Sequence, residues 1–131
     1  MGKATILVVE DEALTAKDLQ LLLIRMGYDV PYIAATGEDA IKRAREIRPD
    51  LLLMDIMLMG EMDGIEAARR IHLEKKVPVI YLSAYTDKML SGRAKDTDPF
   101  RYLSKPFAEH DLRISIEMAL YKEEPEREGD Q

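Results

Sequence analysis

The sequence predicts an α/β protein built on a doubly wound, open parallel sheet of five strands, with helices on both faces. Two observations carry this reading. Short apolar runs alternate five times with stretches of helical periodicity, the pattern of strands joined by crossover helices. The runs are apolar at consecutive positions rather than at alternate ones, as strands covered on both sides require. Right-handed crossovers then leave few topologies.

The first strand is Ile6–Val9, a β-branched apolar run that ends on Glu10, Asp11 and Glu12. A helix follows over residues 13–26, with Leu14, Ala16, Leu19, Leu22 and Leu23 at helical spacings, and Gly27 stops it. Residues 30–34 form a weaker second strand, and Pro31 suits it to a sheet edge. Thr36 caps a second helix over 38–47, and Pro49 blocks its continuation. The third strand, 51–54, runs straight into Asp55. A third helix spans 65–74, and a fourth strand, 77–82, ends at Ser83 and Ala84. A fourth helix over 87–95 is weakened by Ser91 and Gly92. The fifth strand is 101–104, and the fifth helix covers 107–121, with Leu112, Ile116 and Leu120 four apart.

The chain has 131 residues, which suits one domain over 1–122 followed by an acidic tail, 123–131, read as disordered or as a shortened linker. With 47% hydrophobic residues it can bury a core. There is no cysteine, which excludes disulfides and thiolate metal sites. No apolar run approaches the roughly 18 residues that span a bilayer, and the N-terminus lacks a signal-peptide pattern, so the expectation is a cytoplasmic protein with no membrane role. The net charge is −6 with no basic block. Binding of nucleic acid by the domain itself is therefore not expected.

In an open parallel sheet, ligands sit beyond the carboxyl ends of the strands. Those ends carry Glu10 and Asp11, Asp55, Ser83, and Lys105. Two carboxylates about 4 Å apart repel by about 4 kcal/mol at an effective dielectric near 20. A cation must intervene or a proton must bind. Oxygen donors without Cys or His favour a hard divalent ion, best Mg²⁺.

These residues lie in motifs that resemble one family. VVEDE (8–12), LLLMD (51–55), MDG (62–64), PVIYLSA (78–84) and YLSKPF (102–107) occur in order, each at a strand end or the turn beyond one. The chain resembles the receiver domain of two-component response regulators over about residues 5–122. The resemblance implies the flavodoxin-like strand order 2-1-3-4-5. It implies Asp55 as phosphoacceptor from a histidine kinase or phosphotransfer protein. It implies Mg²⁺ held by Glu10, Asp11, Asp55 and the Met57 carbonyl. Lys105, Ser83 and the Ala84 backbone N–H would contact the phosphoryl oxygens. Tyr102 would be the switch aromatic, reshaping the face of the fourth helix, fifth strand and fifth helix for a downstream partner. The same face is a candidate homodimer surface. Such a domain catalyses its own phosphorylation and dephosphorylation, with no separate substrate turnover.

Several departures from the family pattern stand out. Most family members place proline four residues after the acceptor; here Met59 stands there, followed by Gly60. The spacing from Asp55 to Asp63-Gly64 is also one residue longer than common. Ser83 replaces the commoner threonine, and Tyr85 is bulky enough to slow water reaching a phosphoryl group.

Each motif alone has a plainer reading. Glu10, Asp11 and Glu12 suit a helix start, Asp55 a turn, Ser83 a cap, Lys105-Pro106 a helix entry, and Tyr102 a strand aromatic. Met54 and Met62 read as core filling, Met57 and Met59 as exposed loop, and His72 and His110 as surface or rim. Other functions compete with the phosphoacceptor. A phosphatase of similar fold would need a nucleophile in Asp-x-Asp spacing on the first strand. A nucleotide-binding module would need a G-x-G-x-x-G turn or a Walker lysine. A receiver portion of a hybrid sensor kinase, or a receiver-fold interaction module that is never phosphorylated, remain alternatives.

Overall fold

The computed structural model describes residues 3–83 and 99–128, with backbone alone for 99–101 and 122–128. Its elements are β1 (Ile6–Val9), α1 (Ala13–Arg25), β2 (Ile33–Ala34), α2 (Gly37–Ile47), β3 (Leu51–Asp55), α3 (Gly64–Glu74), β4 (Val79–Ser83), β5 (Pro99–Ser104) and α4 (Glu109–Glu128). The helix expected over 87–95, the Ala84 backbone and Tyr85 lie outside the described residues.

The five strands form one parallel sheet in the order β2-β1-β3-β4-β5, as expected. Alternate side chains along each strand enter two separate cores. Leu7, Val9, Leu52, Met54, Val79 and Tyr81 meet α2 and α3 on one face. Ile6, Val8, Leu51, Leu53, Ile80 and Leu82 meet α1 and α4 on the other. Every residue of β1, β3 and β4 is buried, which explains runs without alternation.

Local chemistry sets the helix ends. Gly27, at φ +102°, closes α1: its N–H donates to Ile24 O at 3.0 Å and the Tyr28 N–H to Leu23 O at 3.0 Å, a left-handed stop that glycine adopts without Cβ strain. The Thr36 hydroxyl accepts from Asp39 N at 3.1 Å and caps α2. Asp63 does the same for α3, accepting from Glu66 N at 3.0 Å.

Several expectations are corrected. The second strand is only Ile33–Ala34, because Pro31 has no N–H to donate; before it, Asp29 makes one isolated bridge to Thr5. Leu14 is 80% exposed. It lies about 160° around the helix from Ala16, which defines the buried stripe with Leu19 and Leu23. The last helix starts at Glu109, two residues later than expected, and runs to Glu128.

Candidate functional site

The strand order reverses between β1 and β3, and the candidate site lies beyond their carboxyl ends, where such sheets bind ligands. Parallel pairing carries Val9 opposite Met54 and Asp55 opposite Leu82. Glu10 therefore follows β1 at the level where Asp55 closes β3. The Glu10 N–H donates to Ala34 O at 2.9 Å, so its backbone extends the β1–β2 pairing. Lys105 is placed likewise, its N–H donating to Ser83 O at 2.7 Å beyond the last β4–β5 pair. The Lys105–Pro106 peptide bond is cis.

Sheet geometry thus brings residues distant in sequence into contact. The Lys105 Nζ donates to Glu10 Oε1 at 2.9 Å and to Asp55 Oδ2 at 3.0 Å. Glu10 is 2% exposed and Asp55 5%, so both carboxylates need compensation. Their other oxygens are also bonded: Glu10 Oε2 accepts from Glu12 N at 3.0 Å, and Asp55 Oδ1 from Met57 N at 3.2 Å. Burial pulls the Lys105 ammonium down from its ordinary pKa, but its hydrogen bonds to Glu10 and Asp55 and their charges outweigh this and raise it. Lysine is therefore a fixed cation in the site.

Asp11 completes the acidic group. One carboxylate oxygen each from Glu10, Asp11 and Asp55 lies within 4.8 Å of the others. Three acids facing one ammonium leave an excess of negative charge. The donors are all oxygen, and Asp11 is only partly buried, which leaves a side open to water. That set fits a hard divalent cation such as Mg²⁺, which retains waters and takes few carboxylates.

Three more of the sequence-predicted residues are described: Met57, Ser83 and Tyr102. Met57 lies two residues past Asp55, its N–H bonded there and its side chain 60% exposed. Ser83 is buried at the end of β4, one position beyond the partner of Asp55. Tyr102, on β5, is half-buried and sits opposite Tyr81 in register. The two rings stack, with centroids 5.6 Å apart and planes at 20°.

Sequence reasoning missed two participants. Tyr81 was legible only as one more apolar position in a buried run. Gly64 was read as part of a motif without a physical role. Its N–H donates to Ile56 O at 2.8 Å. A Cβ built there would run into the Asp55 carbonyl oxygen and lie 2.9 Å from Met54 Cγ. Glycine therefore lets the start of α3 press directly against the strand end that carries Asp55.

A parallel sheet in this order, with acids closing β1 and β3 and a lysine beyond β5, defines a receiver-type domain. Comparison with known proteins agrees. The model of the response regulator receiver domain matches residues 6–117. The chain is 38% identical over 115 residues to the transcriptional regulatory protein PdtaR of Mycobacterium tuberculosis, covering 88% of this chain and 56% of that protein. It is 35% identical over 123 residues to the phyllosphere-induced regulator PhyR of Methylorubrum extorquens, covering 93% of this chain and 45% of that one. The chain thus spans about half the length of these curated relatives. Among solved structures, the signal receiver domain of a modulated diguanylate cyclase from Desulfovibrio desulfuricans G20 matches with a TM-score of 0.87 and 41% identity, over 95% of this chain and 98% of that chain. A CheY-like receiver domain protein from Methanospirillum hungatei JF-1 matches with a TM-score of 0.89 and 26% identity, over 95% and 99%. The chain belongs to the response regulator receiver domain family of two-component systems. Among the described residues, no helix is long and apolar enough to cross a membrane.

Proposed function

We propose that the protein is a phosphoacceptor switch whose Asp55 takes a phosphoryl group from the phosphohistidine of a histidine kinase or a phosphotransfer protein, in the cytoplasm. The observation that carries this reading is the Lys105 ammonium held between Glu10 and Asp55, with Asp11 completing an oxygen-only cluster.

An oxygen of Asp55 attacks phosphorus, the P–O bond forms, and the P–N bond to the donor imidazole breaks. The imidazole leaves with the electron pair and is protonated. Carboxylates act as nucleophiles in this way in aspartyl phosphate chemistry. A carboxylate nucleophile needs no separate base to activate it. What it needs is a position free of repulsion, since the incoming group is itself anionic. Lys105 supplies one positive charge, already bonded to Asp55 Oδ2. Glu10, Asp11, Asp55 and the Met57 carbonyl would hold Mg²⁺, which neutralises charge on the transferring group when bound. Ser83 and the Ala84 N–H would donate to phosphoryl oxygens.

Phosphorylation adds charge and three acceptor oxygens at the end of β3. Ser83 moves toward them, and the change passes along the sheet to Tyr102. The face containing β5 and the last helix then presents a new surface to a downstream partner or to a second copy of the chain. A partner that prefers this form also favours its phosphorylation, by linkage. The net charge of −6 with no basic block in the sequence gives no ground to propose nucleic-acid binding by the domain itself.

Incubation with Mg²⁺ and acetyl phosphate, read by intact mass, tests the proposal. A gain of one phosphoryl group that disappears in Asp55→Asn supports it. The same gain in Asp55→Asn, or none in wild type under conditions where beryllofluoride also leaves the NMR spectrum unchanged, rejects it.

A further inference from the structure

The loop after Asp55 lacks the expected proline and is one residue longer than usual, yet it is anchored. Met59 forms a parallel backbone bridge with Thr36, the residue that caps α2. Gly60 takes φ +95°, a conformation open to glycine without strain, which absorbs the turn beyond the bridge. Met62 is only 9% exposed and seats against the first turn of α2. A Cβ on Gly37 would lie 2.8 Å from Met62 Sδ, 2.9 Å from its Cγ and 3.1 Å from its Cβ. The contact reaches the root of the methionine side chain, so a rotamer change at its tip cannot relieve it.

From these contacts we infer that Gly37 and Met62 are positioning residues for the phosphoacceptor site. They tie the loop of residues 57–62 to the start of α2 at one end, while Asp55 ties it through the Met57 N–H at the other. The inference rests on the proposed function in one respect: that reading assigns the Met57 carbonyl to the cation. The stiffness that a proline ring would supply is here supplied by a bridge and a buried thioether. Met57 is held between these anchors, so a loop pushed away from α2 moves its carbonyl and its N–H together. Groups hydrogen-bonded directly to a metal's ligands change affinity by about 10- to 100-fold when removed, so these more remote anchors are expected at the low end of that range.

The test is an NMR titration with Mg²⁺ of wild type, Gly37→Ala, Met62→Ala and the double variant, with amide exchange measured at Met57 and Gly64. Each single variant should bind Mg²⁺ about tenfold more weakly and exchange faster at Met57. The double variant should be little weaker than Met62→Ala alone, because only the 3.1 Å approach to the Cβ of residue 62 then remains for the methyl to relieve. Affinity and exchange equal to wild type in both single variants would overturn the inference. Should Gly37→Ala fail to fold, Met62→Ala alone carries the decision. Absence of Mg²⁺ binding by wild type would count against the assigned cation, and the Met57 exchange rate would still decide whether the anchors position the loop.

Discussion

Lys105 and Asp55 are 50 positions apart in the chain, yet the lysine Nζ donates to the aspartate Oδ2 at 3.0 Å while also holding Glu10 at 2.9 Å. One ammonium thus prevents two buried carboxylates from repelling each other. Sheet register alone brings these three side chains together.

Lys105→Met should therefore destabilise the fold in the absence of divalent ions. Losing one side of a charged, partly buried bond costs about 1–3 kcal/mol. Added Mg²⁺ should recover part of that loss, because a cation bound as proposed would bring positive charge to the same carboxylates. Urea unfolding with and without Mg²⁺ checks this. An equal deficit in both conditions would contradict the role in charge neutralisation.

The raised Lys105 pKa has a definite sign. A group whose folded pKa exceeds its unfolded value contributes stability fully below the unfolded value, and loses it as pH rises through the folded one. The unfolded reference is 10.5. The stability difference between wild type and Lys105→Met should thus be constant at neutral pH and shrink only above that value. A difference that vanished already near neutrality would contradict the assignment.

Gly64→Ala should damage the site more than its size suggests. Its methyl would strike the Asp55 carbonyl and crowd Met54. Overpacking of this kind costs about 1–3 kcal/mol. Acceptance of a phosphoryl group should fall even where the protein remains folded, since the strand end must shift. Unfolding midpoints together with acetyl phosphate labelling would show both effects; full labelling in a destabilised variant would separate Gly64 from the acceptor.

Tyr81 and Tyr102 should be energetically coupled. Stacked aromatic pairs contribute about 0.5–1.5 kcal/mol beyond area burial. A double-mutant cycle with Tyr81→Leu and Tyr102→Leu should recover a coupling of that size. Tyr81→Leu should also remove the ring-current shift on the Tyr102 resonances. Strict additivity would mean that the rings merely share a face.

Much of this architecture is legible in the chain because parallel strands covered on both sides are written as unbroken apolar runs. The charges that interrupt those runs, at Glu10, Asp55 and Lys105, mark the edge where the sheet meets water. Other features are set by contacts between distant segments and leave no local mark. Leu14 matches helical spacing as well as Leu22 does, and only the direction of the sheet decides that it faces solvent. Tyr81 looks like any buried strand residue until β5 places Tyr102 beside it. Gly37 is one more glycine until the loop after β3 brings Met62 beside it. The short β2 reflects Pro31, whose effect is visible in the sequence but whose extent depends on register.

The two-residue β2 has a further consequence. It is the outermost strand on its side of the sheet, and it offers an incoming chain almost no run of unsatisfied amide and carbonyl groups to template against. Growth of ribbon-like polymers from that border is thereby starved of a foothold, and any assembly on that flank must be built from side-chain complementarity.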